Sequence, residues 1–335
     1  MPGESSRLGY GEKSVSALER VKQRREIGVL VAFLAMVLLM AITRPDIFFN
    51  WDEVAGIYSR LLRQVAGWAI IGIGMSFLII GGEFDLSVGS MFALGGVAFT
   101  LLIVDFGLPV SVALLLTLIV GILVGATNGL LVTKAGVPSL IATIGMLSVL
   151  RGVVLWFTPG GSVQVPNLGI FQSILAFDVN IIGVVISAQA IWAILLMLVF
   201  GLILQYTKFG NHVYATGDDE EASRLNGIDV EKVKITNFIL TSTLAAFAGI
   251  LSVAYFGSIF SAAGRGIELT IIAGVIIGGT NLFGGEGSIS GTFLGMLVIG
   301  FIPTLLVINN VAVEIGDLFT GAIIILAVII DSLLR

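Results

Sequence analysis

The sequence has no cysteine, one histidine and seven prolines among 335 residues, and only 12% of it is charged. The missing thiols exclude disulfides, thiol catalysis and Cys-ligated metal, while leaving the redox compartment open by that route. A lone His212 leaves no Ser-His pair for an intramembrane hydrolase, and no two apolar runs carry central aspartates for a paired-carboxylate one. Charge at about half the usual globular share excludes nucleic-acid binding and ordinary soluble catalysis. No Gly-Lys dipeptide occurs, so no Walker A loop can cradle a phosphate.

What is present is apolar: 57% of the residues are hydrophobic, 43 more are glycine, and the mean hydropathy is +1.07. A bilayer-spanning helix takes about 20 such residues, so about ten spans fit. The runs predict them near 27–43, 65–81, 87–104, 110–133, 137–157, 186–205, 235–256, 268–283, 288–307 and 316–334. The break at Gly81 to Asp85 is short enough to be a kink, and the eighth run is short for a span.

The polar, basic start of the chain leads into the first run without a small-residue cleavage pattern, which reads as a retained span with its N-terminus inside. Alternation then puts Arg7, Lys13, Arg20, Lys22, Arg24, Arg25, Lys134, Lys208, Arg224, Lys232, Lys234 and Arg335 on the cytoplasmic side. Arg44, Arg60, Arg63 and Arg265 fall outside, so the basic excess agrees with the orientation. The expectation is a multi-pass protein of the cell membrane, embedded in lipid, with both termini cytoplasmic. The net charge of −5 averages over two sides and says little about partners.

An internal duplication organises the chain. Asp85-Leu86-Ser87 precedes Gly95-Gly96 at the same spacing as Glu268-Leu269-Thr270 precedes Gly278-Gly279. Five spans per half make the halves opposite in topology, the plan of alternating-access transporters. The expected fold is therefore an all-α polytopic membrane protein, with about ten helices in two inverted five-helix halves. The divisions are a tail over 1–26, a first half over 27–157, an external loop over 158–185 rich in turn residues, and a second half over 186–335. Rows of small residues, Gly121, Gly125 and Gly129 among them, read as helix-packing surfaces.

The polar loop over 208–234 contains a specific signal. Asp218 is a candidate N-cap, Glu221 completes a capping-box spacing, and Gly227 supplies a stop. The helix so bounded has about eight residues and is too short to stand alone. Its apolar edge of Ala222, Leu225 and Ile228 reads either as a plug for a groove on a partner or as a face lying on its own membrane domain.

Glu83, Asp85, Glu268 and Glu286 lie at run ends, where a carboxylate can cap a helix. The alternative is that Glu83, Asp85 and Glu268, with Ser87, Thr270 and Asn281, line a solute path. Arg151 is an intramembrane charge that must be paired or snorkel outward, and Arg60 and Arg63 suggest an interfacial helix over 51–64 that a binding protein could dock on.

The stretch Tyr214-Ala215-Thr216-Gly217-Asp218-Asp219-Glu220-Glu221-Ala222-Ser223-Arg224-Leu225-Asn226-Gly227-Ile228 resembles the coupling loop of ribose-type ABC import permeases. Asp85-Leu86-Ser87-Val88-Gly89-Ser90, Val137-Pro138-Ser139 with Leu150-Arg151-Gly152, and Ile277-Gly278-Gly279-Thr280-Asn281-Leu282-Phe283-Gly284-Gly285-Glu286-Gly287-Ser288 are similar to three further family blocks, in family order. The family usually has Asn at Asp219, Ala at Ser223 and Ser at Asn226; these departures keep the capping and the size.

The resemblance implies a non-enzymatic membrane subunit, dimeric with a second permease copy or a relative. A cytoplasmic ABC ATPase would drive it and an extracytoplasmic solute-binding protein would feed it. Asp218, Glu221, Ala222, Arg224, Leu225 and Gly227 are then the ATPase-coupling residues. The chain holds no cofactor of its own, ATP and Mg residing in the ATPase. Monosaccharides (pentose, hexose or polyol) are the expected cargo. Nucleosides or branched-chain amino acids are the alternative, and an ion-coupled secondary carrier is the rival class.

Overall fold

The computed structural model describes residues 25–159 and 161–312, with positions 315, 316, 318, 321, 322 and 325. Most of the basic tail and of the expected span 316–334 lie outside the described residues. In chain order the elements are α1 (Arg25–Thr43), α2 (Pro45–Phe48), α3 (Trp51–Ile80), α4 (Val88–Val104), α5 (Val110–Thr133), α6 (Ser139–Phe157), β1 (Ser162–Gln164), a 3-10 turn (Gly169–Phe171) and α7 (Gln172–Leu175). There follow β2 (Asp178–Ile181), β3 (Val184–Ser187), α8 (Ala188–Tyr206), α9 (Lys208–Asp218), α10 (Glu220–Leu225), α11 (Val230–Phe256), β4 (Ser258–Phe260), α12 (Ile267–Ile277) and α13 (Ile289–Ile308).

Six of these, α3, α5, α6, α8, α11 and α13, are long and apolar enough to cross a membrane, and α1, α4 and α12 are shorter apolar helices. Two expectations need correction. The segment 51–64 is continuous with the second span: α3 runs unbroken for 30 residues, roughly 45 Å, because no Gly-Pro pair or helix stop separates the two parts. The eighth span shrinks to α12, whose 11 residues reach roughly 17 Å and cannot cross a core of about 30 Å alone.

The break after α3 is real. Gly81 and Gly82 turn the chain, and residues 83–85 have no regular structure before a turn at 86–87 leads into α4. Asp85 reaches Ser242, twelve residues and roughly 18 Å along α11 from Val230, so α4 starts inside the bundle rather than at its surface. The segment 257–266 is the counterpart on the other side. It forms β4 and a run of turns, then delivers α12 with Gly264 against Gly89 of α4. The two broken helices thus begin side by side, at the positions of the duplicated Asp85-Leu86-Ser87 and Glu268-Leu269-Thr270.

α11 is the central post, packed against α3, α4 and α5, so the second half of the chain is inserted among helices of the first. Lipid offers helices no hydrophobic incentive to associate, which leaves close backbone contact as the main attraction. The glycine rows supply it. A side chain at Gly125 would sit 2.5 Å from the Ile239 backbone, and one at Gly129 2.8 Å from Ile235. Gly291 and Gly295 meet Gly278 and Gly274 of α12 in the same way, while Gly67 faces open space. Phe77, Phe99, Phe238 and Phe301 fill the remaining interior.

The expected external loop carries one small hairpin, β2 paired with β3, and its β1 pairs antiparallel with β4 of the distant 257–266 segment. Ile182 and Gly183 both take positive φ, as a tight two-residue hairpin turn demands.

Gly125→Ala should force α5 away from α11 and destabilise by about 1–3 kcal/mol. Gly145→Ala, which meets nothing within 4 Å, should be neutral or slightly stabilising. Thermal unfolding of the detergent-solubilised chain would separate the two; equal midpoints would refute the packing role of the row.

Candidate functional site

At the end of the bundle where α3, α9, α11 and the 280–288 turn meet, backbone carbonyls near the helix breaks are bonded from other elements, the Phe77 carbonyl in addition to the bond it accepts from the Gly81 N–H. The Asn237 amide donates to the Phe77 carbonyl at 2.9 Å, and the Gly285 N–H donates to the Ile80 carbonyl at 2.9 Å. The Tyr214 hydroxyl donates to the Gly287 carbonyl at 2.8 Å. Gly217 at the end of α9 lies against the Ile80 carbonyl and beside Gly284 and Gly285, where no Cβ would fit. Gly284 and Gly285 also need positive φ, which explains a paired glycine at that turn.

Against this junction sits α10. Its N-cap is Asp219, whose carboxylate accepts from the Ala222 N–H at 2.9 Å. Asp218 is the last residue of α9 instead, a correction of one position. The reason is that α9 continues through Gly217, so the chain turns extended only at Asp219. Glu221 is exposed in the first turn, and the helix has six residues rather than about eight. Gly227, at φ +82°, ends it as expected: its N–H donates to Arg224 and the Ile228 N–H to Ser223. Ser223 is buried, Ala222 and Ile228 are half-buried, and Leu225 is 84% exposed. The apolar edge is therefore split, part docked on its own chain and its largest side chain left outside.

Charge ties α10 down. Lys234 on α11 donates to Glu83 at 2.7 Å and to Glu220 at 2.6 Å, with Lys234 and Glu83 only 12% and 11% exposed. Arg224 holds the other oxygen of Glu220 at 2.9 Å, and Lys134 pairs with Glu231. The Lys234 hydrogen bond, helped by Arg224, keeps the Glu220 carboxyl below its usual range. Glu83 is thus an ion-pair partner, not a helix cap, and it lies within the irregular break between α3 and α4. The sequence reading quoted both Glu83 and the loop but missed Lys234, which joins them; its one signal was a lysine at the start of an apolar run.

Asp85 and Ser87 are buried together. Asp85 accepts from the Ser87 N–H at 2.7 Å and hydroxyl at 2.5 Å, with Asn128 and Ser242 at 3.3 and 3.5 Å. The acid closes a turn two residues ahead of α4 and is walled in, so it does not face an open path. Glu268 lies half-buried in the first turn of α12, against Gly89. Thr270 lines a cavity of about 620 Å³ with Arg60, Arg265 and Thr304. Asn281 accepts from the Phe283 N–H in the turn beside α9, at the end of the bundle away from that cavity. The sequence-derived candidates therefore fall in three separate places.

Arg151 neither snorkels nor meets an acid: it donates to the Ser261 and Ala263 carbonyls at 2.8 and 2.9 Å and pins the turns ahead of α12. Arg63 lies over the Tyr255 ring, 4.6 Å from its centre.

A family model described as branched-chain amino acid transport system / permease component matches residues 57–328. The chain is 36% identical to the ribose import permease protein RbsC of Escherichia coli K12 over 306 residues, covering 90% of this chain and 92% of that one. RbsC of Haemophilus influenzae is 35% identical (90% and 93% covered), and the xylose transport system permease protein XylH of Escherichia coli K12 is 32% identical (88% and 91%). No solved structure matches.

Lys234→Met should leave Glu83 and Glu220 facing each other and cost about 2–3 kcal/mol, less than for a fully buried pair because Glu220 is partly in water. Amide exchange over 219–228 should rise, and Lys234→Arg should restore protection. Since the pairing lowers Glu220, its stabilisation is full above the ordinary carboxylate range and is lost as pH falls through the folded-state value. Unchanged exchange in Lys234→Met would remove the latch.

Proposed function

The chain belongs to the branched-chain amino acid transport system / permease component family and is a membrane permease subunit rather than an enzyme, and from that premise we propose that it imports a monosaccharide. The ribose and xylose permeases it resembles over most of its length support a pentose, hexose or polyol as cargo. A cytoplasmic ABC ATPase, which binds the ATP and Mg, drives it; an extracytoplasmic binding protein delivers the solute; and a second permease copy or relative completes the pore. Ten spans in two inverted halves, with both termini cytoplasmic, complete the proposed topology.

One observation carries the ATP-driven reading: a six-residue capped helix holds Leu225 outward, 84% exposed, on a mount of ion pairs. A helix of that length is not stable in water unaided, and a carrier without a motor has no use for it. In the importer, Leu225 seats in a groove of the ATPase, with Ala222 and Gly227 shaping the turn and Arg224 bracing Glu220. Displacement of α10 on ATP binding passes through Lys234 to Glu83, in the break that starts α4. Alternating access follows as the broken helices α4 and α12 shift against α11.

A second reading has support in the family description itself, which covers branched-chain amino acids. Both are tested in proteoliposomes holding this chain, its ATPase and its binding protein, with labelled ribose, xylose, inositol, a nucleoside and leucine. ATP-dependent accumulation of one sugar is expected; leucine or nucleoside alone would move the substrate class, and uptake that follows an ion gradient without ATP would overturn the importer. Leu225→Glu should cut uptake at least about tenfold, a charge in an apolar seat costing over about 1.4 kcal/mol. The permease should still insert normally, and full uptake would refute the coupling role.

A further inference from the structure

The half of the bundle away from α10 carries an open cavity of about 400 Å³ between α3, α4, α8, α11 and α12, the size range of small-molecule sites. Its floor is Phe92 and Ile267, each within a turn of the start of its broken helix, where Gly89 and Gly264 touch. Above them stand Trp68, Gln64, Gln189 and Ser252.

The polar groups here are held ready and unused. Gln189 is 4% exposed, yet its amide makes no hydrogen bond to any described residue, so its polar atoms open on the cavity. Gln64 is exposed and Ser252 half-buried, neither with a side-chain partner among the described residues, and the buried Arg63 Nε has no acceptor. Amide atoms that open on a cavity and meet no protein partner are free to bond a visiting hydroxyl group, each such bond contributing about 1 kcal/mol. No carboxylate lines the cavity. An amino acid would bring its ammonium group to a wall with two arginines and no anion, whereas a neutral polyol brings only hydroxyls. Trp68 and Phe92 give its C–H face an apolar surface to lie on.

We propose that this cavity is a solute-holding station within the permease, taking a neutral polyhydroxylated ring whose hydroxyls bond Gln64, Gln189 and Ser252 and whose apolar face lies on Trp68. It rests on the monosaccharide reading above and adds a site and residues to it. The ring waits above the paired starts of α4 and α12, so their separation opens its way onward. Specificity is then set a second time, after the binding protein.

Two measurements test it. In nanodiscs holding the full chain alone, millimolar ribose or xylose should quench tryptophan fluorescence, the change should vanish in Trp68→Phe, and leucine should give none. In the reconstituted transporter, Gln189→Leu should lower sugar moved per ATP hydrolysed by about five- to tenfold, the worth of one hydrogen bond at a buried site. Hydrolysis stimulated by the loaded binding protein should stay within about twofold, and Gln189→Asn should recover part of the transport. Wild-type stoichiometry in Gln189→Leu, or no sugar-dependent quench at Trp68, would overturn the station. Sugar quench at Trp68 in a chain whose wild-type transporter accumulates no sugar would instead keep the station and defeat the import reading.

Discussion

Helices that break inside a membrane leave N–H and C=O groups that lipid cannot satisfy, and the architecture of this chain follows from where those groups find partners. The end of α3 gives its Phe77 carbonyl to Asn237 and its Ile80 carbonyl to Gly285. The turns ahead of α12 give theirs to Arg151. Asp85 receives the Ser87 N–H at the start of α4. Apart from the local Asp85–Ser87 turn, these captures come from elements distant in sequence, so the breaks depend on α6, α11 and the 280–288 turn being in place. The breaks hold the bundle together as much as they interrupt it.

This accounts for the linkage between the mobile-looking loop and the interior. α9 reaches the end of α3 through a glycine contact too close for any side chain, and α10 is fastened to the break itself by Lys234 between Glu220 and Glu83. A push on α10 therefore acts on the point where the interior is least helical. Had Glu83 been in a continuous helix, the same ion pair would only anchor a surface loop. With the acid in the non-helical segment that precedes α4, the pair joins α10 to a point where a few backbone angles set the direction of all of α4.

Much of this was legible in the sequence, and the residues explain why. Long apolar helices over 110–133 and 137–157 follow from the length of those runs, which carry a single charge, Arg151, between them. Gly121, Gly125 and Gly129 announced a packing face by spacing alone, and Gly227 a helix stop. The N-cap was misplaced by one residue because Asp218 and Asp219 are equally good caps, and only the contact of α9 with α3 decides between them. The eighth span was overread because periodicity cannot tell a crossing helix from a half-helix fed by an irregular segment. Lys234 went unassigned because its partners are 14 and 151 residues away. The cavity residues were hidden for the same reason: Gln189 begins an ordinary apolar helix, and nothing local marks its amide as unpartnered.

The placement of charge and neutral polarity along the bundle bears on how transport can be driven without tight binding. One end concentrates ion pairs that are strong, directional and joined to α10. The other holds amides, a hydroxyl, an indole and two arginines around empty space, with no carboxylate among the described lining residues to form an ion pair, and its neutral hydrogen bonds are each worth about 1 kcal/mol. A solute held by such groups can leave as readily as it entered, whereas a solute held by a buried ion pair would have to be pried off at a cost of several kcal/mol. The two broken helices lie between, with Gly89 and Gly264 in contact and no side chain to interlock them. The ion-paired end and the weakly binding end are thus separated by the close contact of α4 with the segment that leads into α12. In the importer proposed above, the free energy of ATP would go into moving α4 and α12, not into breaking a grip on the cargo.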